Sequence, residues 1–155
     1  MAATIIDGKA VAARVRGEVA QEVKELGELL GHPPGLATIL VGDDPASAIY
    51  VANKRKACSE AGIADHHHQL SAEASQDEVA ELIRDCNRAP EVSAILLQLP
   101  VPRGLDSASL TALIDPHKDV DGLTPISAGR LSQGVEGQRP CTPQGVIELL
   151  DAYDV

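Results

Sequence analysis

Apolar residues recur along the first part of the chain at steps of four and three. Val11, Val15, Val19, Val23, Leu26 and Leu30 form one stripe, which predicts a helix from about Gly8 to Leu30 after a short apolar start at Thr4-Ile5-Ile6. His32-Pro33-Pro34-Gly35 ends it, because two prolines and a glycine cannot carry the pattern on. Leu36-Ala37-Thr38-Ile39-Leu40-Val41 is nearly all apolar, as in a central strand covered on both faces. A second helix follows. Asp44 can cap its first turn, Pro45 suits the first helical position and Gly62 is a natural stop after Ala61. His66-His67-His68-Gln69-Leu70 reads as a more exposed strand. Ser75 then caps a helix over Gln76–Arg88, with Val79, Leu82, Ile83 and Cys86 facing inward. Val92–Leu99 is another central strand, and Pro100-Val101-Pro102 ends it.

Farther on, a short helix is expected from Asp106 to Ile114, a polar loop over Asp115–Gly122 and an exposed loop from Ser132 to Arg139. A last helix runs through Val146, Ile147, Leu149 and Leu150, with Thr142 as its expected cap and Pro143 at its first position. Alternating strands and helices predict an α/β fold, a three-layer αβα domain with a mostly parallel central sheet. The apolar positions of the last helix need a packing partner, and a second domain beyond Val155 is expected to supply it.

Composition narrows the function. The chain has 155 residues, enough for one domain, and 44% of them are hydrophobic, which argues against disorder. No run approaches a membrane span, and Met1–Asp7 lacks the basic-then-apolar pattern of a secretory signal, so a cytoplasmic protein is expected. Cys58, Cys86 and Cys141 are odd in number and far apart, which fits reduced, buried structural thiols. A net charge of -10 disfavours nucleic acid and anionic membrane as partners, and the lack of Phe and Trp removes a stacking platform. A small molecule is the expected partner. Only Tyr50 and Tyr153 are aromatic, so their positions matter.

Candidate chemistry gathers at three places. On the second helix Ser47, Tyr50 and Lys54 fall at i, i+3 and i+7, putting a hydroxyl, a phenol and an amine on one face. That stretch alone fits an amphipathic helix with a snorkelling lysine equally well. Gln98 sits at the carboxyl end of a buried strand, where open α/β sheets gather ligand-binding groups, or where a glutamine simply leaves the core. Asp119 and Asp121 precede a glycine, as turn chemistry, a cation site or a ligand clamp would require, although too few oxygens are nearby for calcium. Alternation puts His66 and His68 on one side of their strand, but a metal would need ligands that the local spacing does not supply. No G-x-G-x-x-G follows a strand and no Walker-type loop is present, so no nucleotide site is placed here.

Four stretches taken together resemble one family. Val41-Gly42-x-x-Pro45-Ala46-Ser47 with Tyr50 and Lys54, Leu97-Gln98-Leu99-Pro100-Val101-Pro102, Pro116-x-Lys118-Asp119-Val120-Asp121-Gly122 and Pro140-Cys141-Thr142-Pro143-x-Gly145 resemble the bifunctional methylenetetrahydrofolate dehydrogenase/cyclohydrolase. The resemblance runs over essentially the whole chain. It implies a folate-binding catalytic domain over 1–140 and, over 141–155, the start of an interdomain helix leading to an NADP-binding Rossmann domain outside this sequence.

The implied chemistry is oxidation of 5,10-methylenetetrahydrofolate to the methenyl cation with NADP, then hydrolysis to 10-formyltetrahydrofolate, without a metal. By resemblance Lys54 is the catalytic residue of the hydrolysis, and its site should favour the neutral amine. Gln98 is the glutamine that orients it, and Tyr50 packs on the folate ring system. Asp121 recognises the pterin through two accepted hydrogen bonds. Asp119 is expected to be structural. Ser47 supports the lysine or the helix start, and Pro100 and Val101 line the folate pocket. The resemblance also implies a homodimer for the full-length enzyme, and a role in one-carbon metabolism and purine biosynthesis. Two other readings compete: a folate-binding module without turnover, and another two-domain dehydrogenase acting on shikimate or an amino acid. Tyr50 with Lys54 and the Lys-Asp-Val-Asp-Gly loop argue against the latter.

Overall fold

The computed structural model describes residues 4–155, so the first three residues of the N-terminal reading lie outside it. Its elements run α1 (Gly8–Leu30), β1 (Gly35–Val41), α2 (Pro45–Ala61), β2 (Ala64–Leu70), α3 (Gln76–Arg88), β3 (Ala94–Leu97), α4 (Ser107–Thr111), α5 (Pro125–Ser132) and α6 (Cys141–Asp151). The strands form one parallel sheet in the order β2-β1-β3. β1 is therefore central, as its apolar run requires.

Alternation along β1 divides the core in two. Ala37, Ile39 and Val41 join Ile95 and Leu97 of β3, Val79 and Ile83 of α3 and Leu110 of α4 in one buried cluster. On the opposite face lie Thr38 and Leu40, toward which α2 brings Ser47 and Val51, each 3% exposed. Ile39, Ile83 and Ile95 are at most 1% exposed, and each such side chain contributes about 2–3 kcal/mol by leaving water. The α3 face thus carries most of the packing. α1 lies farther out, against α2 and α6. Of its predicted stripe only Val11 is buried, while Val19, Leu26 and Leu30 stay 37–47% exposed. Periodicity identifies an apolar face but not what covers it.

Local signals explain most element ends. The Asp44 carboxylate accepts from Ser47 N at 2.8 Å with Pro45 in the first turn, and Gly62 ends α2 at φ 82°. Ser75 and Glu78 form a reciprocal capping box on α3. Ser75→Ala is expected to lower the unfolding free energy by about 1 kcal/mol. The urea midpoint should fall with an unchanged slope, and an unmoved midpoint would show that the box stabilises nothing.

Three expectations need correction. α6 begins at Cys141 with Pro140 in the cap position and no side-chain cap, so Thr142 is not the cap and Pro143 lies inside the first turn. A helix's first amides have no intrahelical acceptor, so proline is tolerated there as well as at the first position. α5 was not expected, although Thr124 caps it through Ser127 N and Pro125 opens it. Cys141 is not a buried thiol but belongs to an exposed residue, unlike the buried Cys86 and half-buried Cys58.

Candidate active site

The chain leaves β1 toward α2 on one face of the sheet and leaves β3 toward α4 on the other. The loops at the carboxyl ends of these neighbouring strands therefore diverge, which opens a crevice where parallel sheets bind ligands. Val41, Gly42, Asp43, Asp44 and Ala72 line one side of a cleft of about 360 Å³ there, facing Pro100, Val101 and Pro102. A larger hollow of about 700 Å³ opens between the C-terminal ends of α1 and α2, at the opposite end of α2 from the β1–α2 turn; Lys54, Gln98 and Asp121 line neither space, but Gln98 lies two residues before Pro100 of the smaller cleft.

Lys54 and Gln98 meet beside this crevice. Lys54 Nζ, on a half-buried residue of α2, donates to Gln98 Oε1 at 3.2 Å. The glutamine is itself fixed. Its backbone N–H donates to Ile39 O at 2.9 Å, extending the β1–β3 ladder, and its Nε2 donates to Leu99 O at 2.7 Å. That second bond settles which amide atom faces the lysine: an acceptor, not a donor. Among the described residues, no ion pair includes Lys54. Ser47 is buried one turn before Tyr50, its amide bound to Asp44. Tyr50 is 64% exposed, so its ring presents a face to solvent at the mouth of the site.

The Asp115–Gly122 loop completes the arrangement. Asp119 is 2% exposed and accepts from Leu123 N at 3.2 Å and Thr124 N at 2.9 Å, tying β3's neighbour to the start of α5. It is spent on structure. Burial raises its carboxyl, but the amides of Thr124 and Leu123 and the hydroxyls of Ser127 and Thr124 outweigh burial and hold it below the usual range. Asp121 is half-buried, and its carboxylate faces the Cys141 thiol. Gly122, at φ 64°, lies under the Arg139–Pro140 backbone, where a Cβ would come within 2.7 Å of Arg139 C. That close approach brings the start of α6 over the loop. The Cys141 thiol donates to Val120 O at 3.4 Å. Burial and then the Asp121 carboxylate push this thiol up, while Lys54 acts in the opposite sense. Asp121, Cys141 and Lys54 therefore share one electrostatic environment, and the sequence reading had not put Cys141 in it.

Among the described residues no group of three His, Cys, Asp or Glu side chains could hold a metal. His66 and His68 pair with Ala37 and Ile39 and so face α3, away from Lys54's helix. NADP does not fit the residues present. The turn from β1 into α2, where a dinucleotide's pyrophosphate would sit on the helix amides, carries Asp43 and Asp44, and the Asp44 carboxylate already occupies the Ser47 amide. What the site offers is an amine aligned by an amide, an aromatic face and a half-buried carboxylate, beside a cleft walled by Pro100, Val101 and Pro102 on one side and by Asp43 and Asp44 on the other.

Comparison with known proteins identifies relatives over the whole chain. The chain is 61% identical over its whole length to bifunctional protein FolD 2 of Frankia alni and 50% identical over 97% of its length to bifunctional protein FolD of Oleidesulfovibrio alaskensis. It spans about half the length of these curated relatives, 54% and 53%. Among solved structures it superposes on the bifunctional enzyme FolD of Campylobacter jejuni with a TM-score of 0.95 and 42% identity, covering 99% of this chain and 54% of that one. The Trypanosoma brucei methylenetetrahydrofolate dehydrogenase-cyclohydrolase, complexed with NADP cofactor and inhibitor, matches with a TM-score of 0.93 and 34% identity over 99% of this chain and 52% of that one. The sequence model of the tetrahydrofolate dehydrogenase/cyclohydrolase catalytic domain matches residues 6–121, the stretch that carries Lys54, Gln98 and Asp121, and the chain belongs to that family.

Proposed function

We propose that this chain supplies the folate site and catalytic lysine of an enzyme of one-carbon metabolism. That enzyme oxidises 5,10-methylenetetrahydrofolate to the methenyl cation with NADP and hydrolyses the cation to 10-formyltetrahydrofolate. The 3.2 Å contact between Lys54 and Gln98 carries the reading. A neutral amine at Lys54 takes a proton from water as the water oxygen bonds to the bridging carbon of the methenyl cation. The carbon–N5 bond then breaks, the oxygen becomes the formyl carbonyl, Lys54 passes the proton it took to N5 and so returns to the neutral amine, and the second proton of the water leaves to solvent. Gln98 contributes orientation without charge, since its acceptor oxygen faces the amine. Tyr50 offers a flat face to the pterin, Asp121 two acceptor oxygens to adjacent pterin N–H groups, and Ser47 holds the start of α2. Pro100 and Val101 line the apolar side of the cleft. Hydride transfer to NADP draws on the part of the relatives' length that this chain does not span.

No helix among the described residues is long and apolar enough to cross a membrane. The reading extends to a homodimer for the full-length enzyme and to a supply of formyl groups for purine biosynthesis. The exposure of Tyr50 favours a second reading, in which the open cleft binds folate without turnover. Decay of methenyltetrahydrofolate absorbance, with spontaneous hydrolysis subtracted, separates the two. Catalysed decay is expected from the 155-residue chain; binding without decay would leave the second reading standing, and no binding would remove the folate assignment.

A further inference from the structure

We infer that Lys118 is a positioning residue for Asp121, an inference that rests on the folate reading of the site and deepens it. The Lys118 ammonium donates to three backbone carbonyls at the end of α3: Cys86 O at 3.1 Å, Asn87 O at 2.8 Å and Ala89 O at 2.9 Å. An ammonium has three donors and no acceptor, and the end of a helix presents carbonyls without intrahelical partners. Each of the three donors therefore has its own carbonyl, of which Ala89 O also accepts from Val92 N at 3.3 Å, with the positive charge at the negative end of the helix dipole. No carboxylate takes part among the described ion pairs. This is a socket built from main chain, and its effect is to tie the loop to α3.

The tie acts on Asp121 because of what lies between. Lys118 O accepts from Ile95 N at 2.7 Å, so the same residue is pinned to β3 through its backbone and to α3 through its side chain. Asn87 adds a parallel stitch, accepting from Asp115 N at 2.9 Å and donating to Leu113 O at 2.7 Å. Downstream, the Asp119 carboxylate is committed to the start of α5 and Gly122 is pressed under Arg139–Pro140. The Asp121 carboxylate faces the Cys141 thiol, a weak donor that does not by itself fix its direction. Its carboxylate is aimed by the anchored Lys118-Asp119 on one side and Gly122 on the other, and Lys118 is the anchor that joins α3 and β3 through one residue. An arginine fork would not converge three donors from one nitrogen, so lysine suits the socket by geometry as well as charge.

The test compares tetrahydrofolate affinity with stability. Titration calorimetry is run on the 155-residue chain, on Lys118→Met and Lys118→Arg, and on Ser75→Ala, which weakens the same helix from its other end. Each protein is first checked as folded by circular dichroism at the titration temperature. Lys118→Met is expected to weaken binding at least ~10-fold, about 1.4 kcal/mol. Lys118→Arg should recover part of that loss, and Ser75→Ala should stay within about twofold of wild type. Equal loss in Lys118→Met and Ser75→Ala, or wild-type affinity in Lys118→Met, would overturn the inference while leaving the folate reading intact. No binding by the wild-type chain would overturn both. If Lys118→Met does not fold, Lys118→Gln, which keeps two donors, takes its place under the same criteria.

Discussion

Lys54→Met is expected to slow opening of the methenyl ring by about 10²–10⁴-fold, the range a positioned general base contributes, while tetrahydrofolate still binds. Methionine matches lysine's apolar stem through Cε and omits only the terminal nitrogen, so the half-buried position on α2 stays filled and the helix keeps its register. What is lost is the nitrogen that donates to Gln98 Oε1 at 3.2 Å. Gln98 remains held by Ile39 O and Leu99 O, so the folate wall formed by the end of β3 does not depend on the lysine. The expected signature is therefore a collapse of kcat with a modest change in KM. Stopped-flow absorbance gives both. A variant that retained wild-type turnover would remove Lys54 from the chemistry and leave it as a structural contact of Gln98.

That contact also marks the limit of what local pattern can reveal. α2 was legible from Asp44, Pro45 and Gly62, because a cap, a first-turn proline and a left-handed stop act within a few residues. The pairing of Lys54 with Gln98 spans 44 positions and depends on α2 and β3 meeting at the carboxyl edge of the sheet. Periodicity placed each residue on an element. Only the recurrence of several motifs in one order put the two in a common site.

α5 was missed although Thr124-Pro125 is a legitimate start signal. Its eight residues include Gly129 and leave Ile126 and Leu131 about half exposed, so no apolar stripe announces it. At α6 the opposite happened, since two prolines three apart offered two starts and the earlier one holds. Lys118 was visible only as a motif residue, because its acceptors lie 29–32 positions upstream and are backbone atoms without a sequence signature.

Asp119→Ala is expected to lower the unfolding free energy by about 3 kcal/mol, more than any cap or surface pair in the domain. The carboxylate is 2% exposed, and removing it leaves the Thr124 amide buried with no acceptor and the Leu123 amide unpaired. A buried donor stranded in this way costs about 1–3 kcal/mol, and bonds to a charged acceptor lie at the upper end. Thr124 also accepts from Ser127 N and donates to Ser127 Oγ, so the start of α5 loosens as a unit. The same bonds predict an acid response with a defined sign. The folded carboxyl sits below its unfolded value of ~3.9, so the unfolded chain binds the proton more readily. Its contribution is complete above about pH 5, declines as pH falls through ~3.9, and is gone below the lowered folded value. Asp119→Asn, which cannot ionise, should therefore be less stable than wild type at pH 7 and lose less stability between pH 5 and pH 3. Urea unfolding at the two pH values measures both differences. Parallel acid slopes in wild type and Asp119→Asn would mean that the α5 anchor holds as well protonated as charged.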